Sequence, residues 1–258
     1  MEINEIKLLK TIKLAAQIIL ENGGETYRAE ETIKYICNSF NVYDIESIAT
    51  PTGFYITINS EKAESKTIVK RINKRTINLQ KINDVNEISR QLSLHSISLN
   101  DALQKLNKIE YNPEEHDKFS LYYPAISSAF FTLLFGGGIL EFFTALFTVI
   151  LVTLISRNFE NLHSSQFFSA IISGSLIAII AILITYVTGI GNYNYIIVGC
   201  IMPLLPGLAM TNAIRDTIRG DLISGTARAT EAILVASSLA AGAGVIIYIA
   251  YSTGILVS

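Results

Sequence analysis

Between two long apolar runs the chain carries Asn212, Arg215, Asp216, Arg219, Asp221, Arg228 and Glu231. Ionisable groups at the edge of lipid are costly, so they tend to orient a membrane protein or to handle a polar solute. Asn212, Arg215, Asp216 and Arg219 are spaced i, i+3, i+4, i+7 and share one face of a predicted helix. Gly220 suits the end of that helix, and Ser224 or Thr226 would cap the next one. Arg228 and Glu231 then fall on its first turn, where the helix dipole favours a carboxylate. Arginines so placed would attract a carboxylate-bearing solute, while Asp216 or Glu231 would take up and release protons. Arginines that only set topology, paired to local carboxylates, satisfy the same spacing. The preceding segment is broken by Pro203, Pro206 and Gly207. Such breaks release backbone groups that are tolerable only against protein or a water-filled cavity.

Two further polar features stand apart from this bridge. Glu141, just after Gly136-Gly137-Gly138, is the one acidic residue expected near the outer face. It reads either as a matching outer station or as a carboxylate snorkelling at the interface. In the N-terminal part, Gly23-Gly-Glu-Thr-Tyr-Arg-Ala-Glu30 is the densest polar cluster. It fits a helix–helix turn with a C-cap glycine and a polar first turn; the sharper reading is a solute-sensing or gating surface formed by Glu25, Tyr27, Arg28 and Glu30. The chain shows no phosphate-binding glycine loop. Its histidines are scattered, and its two cysteines, Cys37 and Cys200, fall in different halves, so neither a metal site nor a cofactor is implied.

The elements that must position these residues live in two solvents. Residues 1–118 hold sixteen of the twenty Lys and Arg and seventeen of the twenty-two Asp and Glu, whereas mean hydropathy over the whole chain is +0.41. The first part is therefore a water-soluble domain and the remainder is built for lipid. A net charge of −2 gives no basic footprint for nucleic acid. In the soluble part, Leu8, Ile12, Ala15, Ala16 and Ile19 predict a helix ended by Asn22-Gly23-Gly24. A second helix begins near Thr26 and buries Ile33, Ile36, Cys37 and Phe40. Alternation at Phe54, Ile56 and Ile58 predicts a strand entered through the turn Pro51-Thr52-Gly53, with partners at 66–72 and, more weakly, 45–49. Helical spacing returns at Ile82, Val85, Ile88 and Leu92, and a last helix opens at Ser98-Leu-Asn-Asp101, close to a capping box. The expected fold is an N-terminal cytoplasmic α+β domain over 1–115, a linker at 111–116, and a five-span α-helical transmembrane bundle over 116–258.

The five apolar runs are 121–135, 139–156, 166–188, 193–211 and 227–256. With the soluble domain inside, Arg157, Arg215, Arg219 and Arg228 lie in or beside the inside loops, and the outside loops 136–138 and 189–192 carry no Lys or Arg. This positive-inside distribution predicts a multi-pass membrane protein with its N-terminus in the cytoplasm and its C-terminus outside. Small residues at Ser173, Gly174 and Ser175 and from Ala240 to Gly244 permit close helix packing, including with another chain, so an oligomer is expected. Two functional classes fit these residues. One is a secondary transporter of a small carboxylate-bearing metabolite; the other is a membrane receptor or regulatory subunit whose soluble domain senses a small ligand.

Several stretches decide between them by resemblance. Gly23-Gly-Glu-Thr-Tyr-Arg-Ala-Glu30, Pro51-Thr-Gly53, Arg75-Thr-Ile-Asn-Leu79, Leu134-Phe-Gly-Gly137 and the long block from Pro206 to Gly225 occur in order. Together they resemble the bacterial threonine/serine exporter family. The resemblance implies a secondary exporter driven by the proton motive force, with threonine and serine as substrates, or succinate in a related two-subunit system. Single-chain members carry a second set of membrane helices, whereas this sequence stops at Ser258 after its fifth apolar run. The resemblance therefore implies the large subunit of the split form, partnered by a small, separately encoded membrane subunit.

Overall fold

A computed structural model describes residues 5–59, 65–111, 120–160 and 166–256, the side chains of 157–160 excepted. The predicted linker at 111–116 lies outside these residues beyond Tyr111. Two compact units result: residues 1–115 together with 208–229, and residues 116–207 together with 230–258.

In the first unit, helix α1 (Glu5–Glu21) is the central element. The sequence assigns it one apolar face, but Leu9, Leu14, Ile18 and Leu20 are buried as well as the predicted set. The reason is that α2 (Thr26–Ser39), α3 (Leu79–Ser93), α4 (Leu99–Tyr111) and strand β3 (Lys66–Arg71) all pack on it. Strands β1 (Ile45–Thr50) and β2 (Gly53–Ile58) precede β3 in an antiparallel sheet of order β1-β2-β3. Thr50 pairs with Gly53, so Pro51 and Thr52 are the two loop residues of the first hairpin. Phe54 and Ile56 are fully buried while Tyr55 is exposed, the alternation expected of a half-covered sheet. The helix starts are chemically specified. Asn78 accepts the backbone N–H of Lys81 (3.1 Å), and Ser98 and Asp101 bond reciprocally in the predicted capping box.

The second unit contains α5 (Tyr122–Leu134), α6 (Ile139–Glu160), α7 (Gln166–Thr188), α8 (Tyr193–Ile201) and a 3-10 turn over Met202–Leu204. Helix α9 (Gly207–Ile218) follows the break at Leu205-Pro206 and belongs to the first unit from Leu208 onward. Helix α10 (Leu222–Ser252) runs from the first unit into the second at Thr230. Close backbone approach is bought with glycine. A Cβ on Gly199 would lie 2.8 Å from the Thr132 Cα, which fixes α8 against α5, and one on Gly242 would strike the Ile171 backbone, which fixes α10 against α7. The outward surface of α6 is apolar, with Phe143, Phe147, Leu151 and Leu154 exposed at helical spacing. A contiguous apolar surface of this kind is paid for in water and favoured in lipid.

Among the described residues, three helices are long and apolar enough to cross a membrane: α6, α7 and α10. A fourth crossing results if α8 with its 3-10 turn and α9 form one broken span. The first expected span, 121–135, coincides with helix α5. Helix α5 has 13 residues, about 20 Å at 1.5 Å per residue, against a hydrocarbon core of about 30 Å. Two boundaries move. Helix α6 continues to Glu160, so Arg157 sits on a helix rather than in the loop 157–165, of which 161–165 lie outside the described residues. Helix α10 begins at Leu222, five residues before the predicted apolar run, because its first turns are polar and a hydropathy reading misses them.

Candidate functional site

Helix α9 presents the predicted stripe, and the residues facing it come from the turn between α1 and α2. Gly23 takes φ +86°, and Gly24 N–H donates to the Ile19 carbonyl (2.9 Å), a left-handed helix ending. That ending leaves two carbonyls pointing outward. Asn212, 3% exposed, donates to the Gly23 carbonyl (3.0 Å), and the Arg228 guanidinium donates to the Gly24 carbonyl (2.7 Å). A cation at the C-terminus of α1 is also favoured by its dipole.

The charged residues pair across the same junction. Glu25, buried, receives Arg28 (3.0 Å) on one oxygen and Arg215 in close contact on the other. Arg219 reaches Glu31 (3.1 Å) and lies 3.6 Å above the Tyr27 ring, a cation–π contact. Asp216 is fully buried and forms an ion pair with Arg228 at 3.2 Å. Helix α9 ends in a Schellman motif: Gly220 at φ +91° donates to Thr217 (3.0 Å), and Asp221 N–H donates to the Asp216 carbonyl (2.9 Å). This delivers the Asp221 carboxylate to the Thr26 hydroxyl, which donates to it at 2.7 Å.

Glu30 has a different partner. The Pro51-Thr52 hairpin leaves the Ala49 N–H and carbonyl on the open side of edge strand β1. Glu30 accepts that N–H (2.7 Å), and the buried Ser224 hydroxyl donates to that carbonyl (3.5 Å). Burial pushes the Glu30 carboxyl above its ordinary range, opposed by the Ala49 hydrogen bond and reinforced by the neighbouring negative charge of Asp221.

The two polar clusters that look separate in the sequence are therefore one site. It joins Glu25, Tyr27, Arg28 and Glu30 to Asn212, Arg215, Asp216, Arg219, Asp221 and Arg228. Sequence reasoning missed Thr26, Glu31 and the carbonyls of Gly23 and Gly24. The available signal was complementarity: Glu25, Glu30 and Glu31 form an acidic patch, and Arg215, Arg219 and Arg228 a basic one. Each arginine of the stripe meets a protein carboxylate or carbonyl, while the Arg215 and Arg219 side chains keep 45% and 48% exposure. Two expectations are corrected. Ser224 and Thr226 do not cap α10, which has already begun. Glu231, more than two turns inside α10, lies beyond the reach of the helix-terminal dipole.

The remaining predicted residues lie elsewhere. Pro203 is in the 3-10 turn, and Pro206 and Gly207 form the break from which α9 starts. Glu141 is 7% exposed, so it neither snorkels nor faces solvent. One of its oxygens accepts Gly138 N–H (2.9 Å) and the other Asn192 N–H (3.0 Å), tying the loop before α6 to the loop before α8.

Beside the ion pairs, the first unit contains a cleft of about 300 Å³. Its walls are Gly23, Gly24, Glu25 and Arg28 on one side, Thr211, Asn212 and Arg215 on another, and Asn83 and Asn86 of α3 on a third, with Leu79, Ile82 and Leu208 as the apolar part. Among the described residues, no group of three or more His, Cys, Asp or Glu side chains is placed to hold a metal ion.

A small α+β unit, apolar helices able to span a bilayer and a polar junction built by α9 and the start of α10 define a polytopic membrane protein. A family model described as "Putative threonine/serine exporter" matches residues 10–250, and the chain belongs to this threonine/serine exporter family. A relative in Mycobacterium tuberculosis, named "Probable threonine/serine exporter", is 17% identical over 234 residues. That match covers 90% of this chain and 44% of the relative, so the chain spans less than half of the relative's length. No solved structure matches the chain.

Proposed function

We propose that the chain is part of a secondary active exporter of small carboxylate-bearing metabolites, coupled to protons and seated in the bacterial cytoplasmic membrane. The single observation that carries this reading is the family match across residues 10–250. Its substrates on this reading are threonine and serine, or a dicarboxylate such as succinate. A small, separately encoded membrane subunit is the proposed partner. The polar junction supports the reading because it concentrates charge where α8 gives way to α9 and where α10 begins. On this proposal the break at Pro203, Pro206 and Gly207 lines the solute path. Asp216, paired to Arg228, or Glu231 exchanges the proton, and Glu141 holds the outer loops rather than the solute.

The test is efflux from a strain lacking its own exporters, expressing the chain with and without a candidate small subunit. Cells are loaded with threonine- and serine-containing peptides or with succinate. Lower internal pools, restored by a protonophore, are the expected result. Unchanged pools of all three solutes under both conditions would overturn the reading.

A further inference from the structure

We propose that the cleft between the α1–α2 turn, α3 and α9 is a carboxylate-binding site, in which Asn83 and Asn86 read the rest of the solute. The inference rests on the export reading for its choice of solute class. The charge balance of the cleft points to an anion. Arg28 and Arg215 share the single carboxylate of Glu25, which leaves one net positive charge on the wall. Both guanidinium side chains remain accessible, at 37% and 45%, whereas Glu25 is at 7%. A guanidinium carries five N–H donors in a planar fork, so each arginine keeps donors after meeting Glu25. The buried carboxylate thus acts as a fixed post that holds two cations at the rim of a concave site.

The opposite wall is neutral and amphoteric. Asn83 and Asn86 lie one helical turn apart on α3 and both line the cleft, as does the buried Asn212. A carboxamide offers both an acceptor and two donors, which suits an ammonium or hydroxyl group next to the carboxylate. The volume of about 300 Å³ sits at the lower end of the range for small-molecule sites, roughly 300–1,000 Å³. A solute of metabolite size fits within it. None of this requires α3 for folding the polar junction, since the pairs at Glu25, Asp216 and Asp221 are complete without it.

The experiment is calorimetric titration of the full chain in lipid nanodiscs with L-threonine and with succinate, followed by competition with L-threoninamide, which lacks the carboxylate. At least one acid binds the wild type, the amide does not displace it, and Asn83→Leu with Asn86→Leu weakens it by about tenfold or more. Asn86→Asp is the second variant: at this half-buried position it sets a like charge against the solute and also abolishes binding. The proposal is overturned if neither acid binds, if the amide competes as well as the acid, or if both variants bind as the wild type does. Efflux on the same variants separates the two readings. Carboxylate binding without efflux sinks the export reading and leaves the cleft, and efflux with no binding in the cleft does the reverse.

Discussion

Asp216 and Arg228 form the pair on which the junction turns. Both are buried, at 0% and 10% side-chain exposure, so each charge is removed from water and answered by the other. Removing one partner leaves an uncompensated buried charge, which costs about 3–5 kcal/mol, whereas neutralising both together costs much less. Arg228→Gln should therefore lower the melting temperature of the detergent-solubilised chain by several degrees, and Arg228→Gln with Asp216→Asn should recover part of that loss. A double variant as unstable as the sum of the singles would show that the two do not act as a pair. The same variants bear on transport. If Asp216 is the proton-exchanging group, Asp216→Asn abolishes the response of efflux to pH without requiring the protein to unfold.

At the scale of elements, α9 and the start of α10 hold the site because their backbones nearly touch. A Cβ on Gly225 would lie 2.9 Å from the Ala213 carbonyl and 3.0 Å from Thr217 N, so any side chain there drives the two helices apart. Gly225→Ala should cost about 1–3 kcal/mol through overpacking and weaken the contacts of Ser224 and Arg228. Gly244→Ala, where nothing lies within 4 Å, should be neutral or slightly stabilising, because alanine is the better helix former. Equal melting temperatures for the two variants would contradict this account. The elements of the α+β unit were legible in the sequence because each carries its own period: 3.6 at Ile82–Leu92, 2 at Phe54–Ile58, and glycine punctuation at Gly23. The start of α10 was not legible, since Leu222 to Arg228 mixes apolar, small and charged residues with no sustained face. The union of the two polar clusters was invisible for a different reason. Glu25 and Arg215 are 190 positions apart, and nothing local in either helix records the other.

At the scale of the whole molecule, we propose from the placement of the arginines that the chain crosses the bilayer five times. Suppose that α5, with 13 residues, does not cross, and that α6, α7, the broken α8–α9 pair and α10 do. With the N-terminus inside, Arg157, Arg215 and Arg219 would then face outward while the arginine-free loop 189–192 faced the cytoplasm. That inverts the positive-inside distribution. If α5 does cross, all three return to the cytoplasmic side. On this proposal the mismatch of a short helix is met by local thinning of the bilayer and by the apolar residues that continue past its end, such as Phe135, at fractions of a kcal/mol per Å. Cysteine labelling separates the two arrangements, and the wild-type background suffices for it. Cys37 and Cys200 are both fully buried, and burial also pushes the Cys37 thiol up to about 12. Thr188→Cys and Thr253→Cys occupy exposed positions before α8 and after α10, and Lys74→Cys an exposed position in the α+β unit. Five crossings predict that a membrane-impermeant maleimide modifies the first two in intact cells and the third only after lysis. Four crossings predict that all three stay protected until lysis, and that result would remove α5 from the set of spans.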